Sequence, residues 1–536
     1  MTKLMIKQQL EEDLRKTIKS LGYESDDPLL SIPQKSQLGD YSTNIALQLP
    51  KQKPQNNHHS SQEIAKEILD ELGNLEYLQK AEIAGPGFLN FWLRSKYLAN
   101  DLKIILSEGD DFGKSKANLG KKARVEYVSA NPTGPLHIGN ARGGPLGDVV
   151  ANCLESQGFK VTREYIHNDV GEQVKRLGAT IKATLAGGIE EENQYKGEYV
   201  KELADKLKGE MEGKSDEQVG QMAVNLLFEE IMADVSDMGI KFDLVVKESE
   251  LRNRAKEVIE ELKSSGVTKE KDGALWLAPS DEFLKDRETV VVKSDGGYTY
   301  FTSDIVYHKD KFESQADLII DVFGSNHHGH IPRLQAAMKG LGFDTQKLKF
   351  ILYQYVRVKK GDEILKMSKR AGTFISAREV LDEVGKDSFR FSLLNFSPET
   401  HIDFDLELYK SQSNKNPVFY VQYAHARMAN ILIKTPDQPP PGDLSTLETS
   451  QELALIKHLL EFPSLVSEVA RSFEVHKLTF YAICLADLFH KFYEKCPVLN
   501  AETENLKLSR INLVKASKIT LGSTLALLGI KAPERM

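Results

Sequence analysis

The sequence predicts an α/β protein in three parts: a mostly parallel sheet in the middle of the chain, an α+β module before it and an all-α region after it. Three observations carry this reading. From about residue 121 to 399, apolar runs at 124–129, 160–166, 318–323 and 349–353 alternate with helical stretches, the order that builds a parallel sheet through crossover connections. The first 110 residues combine helical spacing with a pair of short β runs, and beyond about residue 416 only helical periodicity is found. At 536 residues, about three domains of ordinary size are expected, divided as 1–115, 116–415 and 416–536.

Each element has a local reason. Leu10, Leu14, Ile18 and Leu21 recur at helical spacing. A polar loop at 51–59 leads to Ser60, with Glu63 three residues on, a capping box that starts a second helix. AEIA and FLNFWL, separated by Gly85, Pro86 and Gly87, read as a hairpin, and nothing in this module looks catalytic. In the middle region, VEYVSANPTGPLHIGNARGG (125–144) is a strand running into a Pro/Gly turn and then a helix start carrying His137, Gly139 and Asn140. Such a start points unpaired backbone N–H groups at a bound anion. The Glu/Lys-rich helical stretch at about 184–287 has a poor sheet signal and reads as an insertion. ETVVVKSDGGYTYFTSD, with Asp295, Gly296 and Gly297 as its turn, reads as a hairpin that returns the chain to the sheet. Beyond it, Val421, Ala424, Met428 and Ile431 form a helical stripe, and TPDQPPPGD separates that helix from the later ones.

Composition excludes several classes. Hydrophobic residues at 40% and charged residues at 28% are ordinary for globular proteins and argue against disorder or a fibre. No apolar run approaches the roughly 20 residues that span a bilayer, and the amphipathic start lacks a signal-peptide core, so a cytoplasmic location is expected. Cys153, Cys484 and Cys496 are too far apart for a CxxC pair, which speaks against a disulfide framework or a cysteine zinc site. The net charge of −8 gives no global attraction to nucleic acid, so such a partner has to be held by local patches.

Three loops are expected at the carboxyl ends of the parallel strands, where open α/β sheets bind ligands. They are the 125–144 stretch, GSNHHGH at 324–330 after the strand LIIDVF, and LKMSKRAGTF with Lys366 and Lys369 flanking Ser368. Singly, each has a plain alternative: a core histidine at 137, a surface loop or metal site at His327, His328 and His330, a solvated basic run at 366–370. The metal is the weakest of these, because the histidine spacing is wrong for ligands on one helix face and no cysteine or carboxylate accompanies them.

Together these motifs resemble the class I aminoacyl-tRNA synthetases, whose HIGH and KMSKS signatures read here as His137-Ile138-Gly139-Asn140 and Lys366-Met367-Ser368-Lys369-Arg370. VSANPTGPLHIGN, YIHNDVGEQV, YTYFTSDIVYH, HHGHIPRL and the terminal APERM are similar to the bacterial arginyl-tRNA synthetase family over nearly the whole chain. The resemblance implies a Rossmann-type catalytic domain between an α+β N-terminal tRNA-binding domain and an all-α anticodon-binding bundle. It implies a ligase that converts L-arginine and ATP to arginyl-adenylate and passes arginine to tRNA(Arg), working as a monomer and commonly needing tRNA for the first step. ATP with Mg²⁺ is the implied substrate complex, with no permanently bound metal.

By the same resemblance, His137, Asn140, Lys366 and Lys369 are catalytic, and His137, Gly139, Asn140, Gly324, His327, Lys366, Met367, Ser368 and Lys369 bind ATP. Asn140 departs from the signature's second histidine; its amide can still donate a hydrogen bond but cannot become cationic. Ser129, Asn131, Glu248, Tyr300, Asp304 and Asn326 are implied for arginine, whose planar guanidinium calls for carboxylates and an aromatic neighbour. Tyr300 and Asp304, four residues apart, fall on one helical face. GDYSTN (39–44) is implied at the outer corner of the tRNA, while Tyr420, Gln422, Tyr423, His425 and Arg427 offer faces and donors to splayed-out bases.

Overall fold

The computed structural model describes residues 5–23, 27–28, 30–33, 35–49, 59–187, 194–278, 289–361, 363–365, 375–435 and 442–536. The polar loop at 51–58 and most of the proline loop (436–441) lie outside them.

In the N-terminal part, the helix Ile6–Ser20 buries Leu10, Leu14 and Ile18, as the spacing requires. Helix Ser61–Leu72 starts at the expected capping box: Glu63 N–H donates to Ser60 Oγ at 3.2 Å and Ser60 N–H to Glu63 Oε2 at 2.7 Å. The hairpin gains a third strand: β1 (Tyr41–Thr43), β2 (Leu78–Ala84) and β3 (Phe88–Leu93) form an antiparallel sheet in the order β1-β3-β2. Gly39 precedes β1 at φ +100°, and a Cβ there would lie 2.7 Å from the Phe91 carbonyl oxygen, so only glycine lets the chain pass so close to β3.

The middle region holds the expected parallel sheet. Its first three strands are β4 (Lys122–Glu126), β5 (Lys160–His167) and β6 (Leu244–Lys247). An antiparallel trio follows, β7 (Thr268–Lys271), β8 (Ala274–Leu277) and β9 (Thr289–Val292), and then β10 (Leu318–Gly324) and β11 (Leu348–Tyr353) complete the main sheet. The order is β11-β10-β4-β5-β6, with every neighbouring pair parallel. From β4 the chain winds outward through β5 to β6, then returns to the other side of β4 at β10. That reversal opens a crevice at the carboxyl ends of β4 and β10, where the 125–144 and 324–330 loops emerge. A second small sheet, β12 (Val356–Lys360), β13 (Glu363–Ile364) and β14 (Ile402–Asp405), lies beyond.

Two expectations about this region are corrected. The stretch 184–287 is not one inserted block, because β6 within it is the edge strand of the main sheet; it has only four residues, with Leu244 and Val245 exposed, and its apolar run stops at Val246 and shows no alternation. The reading of 288–304 as a hairpin fails at its second arm. Gly296 N–H donates to Lys293 O and closes the turn, but one bridge, Val292 to Tyr298, is all that pairs before the helix Tyr300–Glu313 begins. Hydroxyls of Thr299 and Thr302 instead donate to Val290 O (2.9 Å) and Val291 O (2.5 Å), docking the helix start onto β9.

The C-terminal region is helical as expected: Pro417–Ile433, Ser450–Leu460, Phe462–Ser472, His476–Lys495 and Glu504–Leu528. Val421, Ala424, Met428 and Ile431 are buried along the first of these. Its core is continuous with the other two regions, Phe112 stacking on Phe462 at 6.0 Å between ring centres.

Candidate active site

β4 ends at Glu126, and the chain turns sharply rather than running on to residue 129. Val128 and Ser129 have φ of 67° and 37°, and Ser129 N–H donates back to Tyr127 O at 3.0 Å. A β-branched residue in the left-handed region is strained, a state that persists only where surrounding contacts enforce it. Here Tyr165 hydroxyl donates to Ala130 O (2.9 Å) and Ile166 N–H to Ser129 Oγ (3.2 Å), clamping the turn to β5. Asn131 is held too, its Oδ1 accepting from Asn168 Nδ2 at 2.7 Å.

The turn leads to His137, the N-cap of the short helix Ile138–Ala141. Its Nδ1 accepts from Asn140 N–H at 3.2 Å, which leaves Nε2 to carry the ring proton. A Cβ on residue 139 would lie 3.0 Å from this imidazole, so Gly139 makes room for the fold-back. The Asn140 side chain is half-buried and makes no hydrogen bond among the described residues. Behind the helix, Arg142 is fully buried and donates to the carbonyls of Gln354 and Thr400 (2.7 Å each) and Ser397 (2.8 Å), fixing the helix to the loops around β12 and β14; burial lowers its guanidinium to about 10.

Lys366, Met367, Ser368 and Lys369 lie outside the described residues, but the chain just after them does not. Ala377 N–H donates to Leu136 O at 2.7 Å, and Ile138 N–H to Ile375 O at 3.3 Å. Residues 375–377, which follow the second signature, therefore lie against the first.

Across the crevice, the helix Tyr300–Glu313 presents Tyr300 and Asp304 from its first turns. Asp304 Oδ2 lies 3.1 Å from His330 Nε2, and Glu248 is buried beside them, its Oε1 accepting from Arg252 Nη2 at 3.0 Å and Ser303 Oγ at 3.1 Å. Burial pushes the Glu248 carboxyl above the usual range, against the pull of Arg252. From β10 come Gly324, Asn326 and His327; His327 stacks on Phe323 at 5.1 Å, and burial lowers its imidazole, with His330 adding to the effect. Asn326 is exposed at the mouth of this loop.

The helix carrying Asp304 is anchored by buried charges beneath it. Lys311 Nζ donates to Glu126 Oε2 (2.6 Å) and Asp321 Oδ1 (2.7 Å), all three sealed from solvent. His308 bridges the Asp304 carbonyl (Nδ1, 2.8 Å) and Asp321 Oδ2 (Nε2, 2.7 Å). Tyr307 donates to Glu164 at 2.8 Å, and Arg124 pairs with the same carboxylate.

Several partners went unassigned from the sequence: Asn168, Arg142, Arg252 and His330. Arg252 had a signal, its spacing of four from Glu248 on one helix; Asn168 and His330 stood inside quoted motifs without a role.

At the proposed RNA surfaces three assignments change. Tyr41, Ser42 and Thr43 of GDYSTN are buried in β1, so they build the sheet rather than touch a ligand. His425 is buried with Nδ1 at 2.9 Å from Pro533 O, and the Gln422 amide donates to Asp387 Oδ2 and Lys531 O at 2.9 Å each; both side chains hold the chain's end in place. Tyr423 is exposed, with Tyr420 and Arg427 half-buried beside it against His490 and Tyr493, the Arg427 guanidinium lying 4.4 Å from the Tyr493 ring centre.

Family models match in three places: "Arginyl tRNA synthetase N terminal domain" over residues 5–93, "tRNA synthetases class I (R), catalytic domain" over 101–395 and "DALR anticodon binding domain" over 421–536. The Rossmann-type sheet, its two signature loops and these matches define a class I aminoacyl-tRNA synthetase. Among relatives, the arginine–tRNA ligases of Shouchella clausii and Geobacillus kaustophilus are 38% and 39% identical, each alignment covering 99% of both chains. The Thermus thermophilus arginyl-tRNA synthetase structure shares the fold at 24% identity, with a TM-score of 0.79 over 99% of this chain and all of that one. The chain belongs to the arginine–tRNA ligase family.

Proposed function

We propose that the crevice between β4 and β10 is where this ligase activates arginine with ATP, before passing it to the terminal adenosine of tRNA(Arg). His137, Gly139, Asn140, Gly324 and His327 hold ATP with Lys366, Met367, Ser368 and Lys369; Ser129, Asn131, Glu248, Tyr300, Asp304 and Asn326 hold arginine. The arginine carboxylate attacks the α-phosphate, pyrophosphate leaves toward Lys366 and Lys369, and no covalent enzyme intermediate is needed. Catalysis is then positioning plus stabilisation of phosphate charge as it builds up. Mg²⁺ enters with ATP as part of the substrate complex. The observation that supports this most is the backbone pairing of Leu136 and Ile138 with Ile375 and Ala377, which holds the chain that follows the lysine-bearing segment against the residues flanking His137.

Asn140→Ala is expected to slow ATP–pyrophosphate exchange by about 100-fold, the usual loss for a donor to developing charge, while Asn140→His retains most of the rate. The assay is run with and without tRNA, which the reading expects to be required. An undiminished rate in the alanine variant removes Asn140 from the site and weakens the assignment of the whole loop.

The organisation follows: residues 1–115 bind the outer part of tRNA, 116–415 carry catalysis, and 416–536 bind the anticodon through Tyr420, Tyr423 and Arg427. The enzyme acts as a monomer in the cytoplasm. Affinity for tRNA is expected to fall as salt rises, with Arg427→Ala reducing the log–log slope by about one if the guanidinium meets phosphate. Fluorescence titration at several salt concentrations reads this directly, and a salt-independent affinity contradicts the interface.

A further inference from the structure

Both acids of the proposed arginine pocket are half occupied by the chain itself. Glu248 Oε1 takes three donors: Arg252 Nη2 at 3.0 Å, Arg252 Nε at 3.3 Å and Ser303 Oγ at 3.1 Å. No donor sits on Oε2 among the described residues, so this oxygen is left for a substrate. Asp304 repeats the arrangement, with His330 on Oδ2 and no donor on Oδ1 among the described residues. Arg252 reaches Glu248 from the same short helix, Glu248–Arg252, and lies against Gly171, where a Cβ would come within 3.3 Å of its Nη2. Glu248 is buried, whereas the Arg252 side chain is 36% exposed at the pocket's edge.

We propose that Arg252 is a specificity-determining positioning residue: together with Ser303 it holds Oε1 of Glu248, so that a single oxygen of each acid faces the substrate and the pocket's negative charge is partly offset. This rests on the assignment of Glu248 and Asp304 to arginine. Two single oxygens on different residues suit a planar guanidinium, whose N–H bonds diverge and can bridge them. They suit a compact ammonium poorly, because that group is best served by several carboxylate oxygens converging on one point. Without Arg252, Glu248 turns freely, offers both oxygens and adds a full negative charge, which weakens guanidinium binding and favours an ammonium.

The experiment compares the full-length wild type with Arg252→Gln, Arg252→Lys and Glu248→Gln in aminoacylation, titrating arginine and, separately, lysine. Arg252→Gln is expected to raise KM for arginine by about 10-fold, the effect of losing a charge-assisted hydrogen bond, with kcat within about twofold. The preference for arginine over lysine falls by about the same factor, and Arg252→Lys restores part of both. If Glu248→Gln raises KM for arginine while Arg252→Gln does not, the pocket stands and the role of Arg252 is overturned. An equal loss for both amino acids, leaving the preference unchanged, also overturns it as mere structural damage. If Glu248→Gln leaves KM for arginine unchanged, the pocket assignment itself has failed and takes this inference with it.

Discussion

Asp304→Ala raises KM for arginine by about 100-fold and leaves KM for ATP within about twofold. Truncating one partner of a buried charge pair typically costs 2–5 kcal/mol, and the guanidinium loses an acceptor for which water cannot substitute inside the crevice. The helix start should survive the change. Thr299, Thr302 and His308 hold it through backbone carbonyls, the side chain of Asp304 pairs with His330, and alanine is the better helix former. A steady-state titration of arginine at saturating ATP and tRNA separates the two constants. An unchanged arginine KM sinks the pocket assignment, whereas a parallel rise in both constants points to a collapsed loop. Asp304→Asn, which keeps the shape and removes the charge, should come close to the alanine variant. Discrimination against lysine depends on the same acids, since a buried acceptor left unpaired by the wrong substrate is what rejects it.

The largest stability effect is expected at Lys311. Replacing it by methionine leaves Glu126 and Asp321 buried without their cation, and breaking a buried pair in this way costs about 3–5 kcal/mol. Lys206→Met, at an ion pair of 3.1 Å whose partners are about half exposed, should cost less than about 1 kcal/mol. The pH dependence has a definite sign. Burial alone would raise Asp321, but Lys311 and His308 hold it below the usual carboxylate range, so its contribution is present above its unfolded pKa and is lost as pH falls through the acid range. Lys311 itself is raised by Asp321 and Glu126 in spite of its burial, so its contribution is complete below its unfolded pKa and is lost only as pH rises through the higher folded value. The difference between Lys311→Met and the native chain is therefore greatest near neutrality and narrows in acid, as the orphaned carboxylates take up protons. Urea midpoints at neutral and acid pH measure it; a neutral-pH loss no larger than that of Lys206→Met rules out this account of the network.

Local pattern made much of this protein legible. Periodicity reports which face of an element is buried, so four strands of the main sheet, the capping box at Ser60 and the helical end of the chain could be read directly. So could the turn after β4, because proline, glycine and polar residues at those spacings have few other uses. β6 escaped because four mostly exposed residues at a sheet edge lack the burial that creates a pattern, and the 288–304 hairpin misled because its second arm begins a helix docked by threonine hydroxyls.

By itself, the sequence determined the α/β class, the strand–turn–helix around His137 and the residue types fit to hold a nucleotide and a guanidinium. Only the tertiary structure decided the partners: Lys311 on Glu126 from 185 positions away, Arg142 on the Thr400 carbonyl from 258, His425 turned inward onto Pro533, and Asp304 shared with His330. The physical reason is that a backbone's local preference depends on near neighbours, whereas a buried polar group must be satisfied by whatever donor or acceptor the packing brings to it, however distant in the chain.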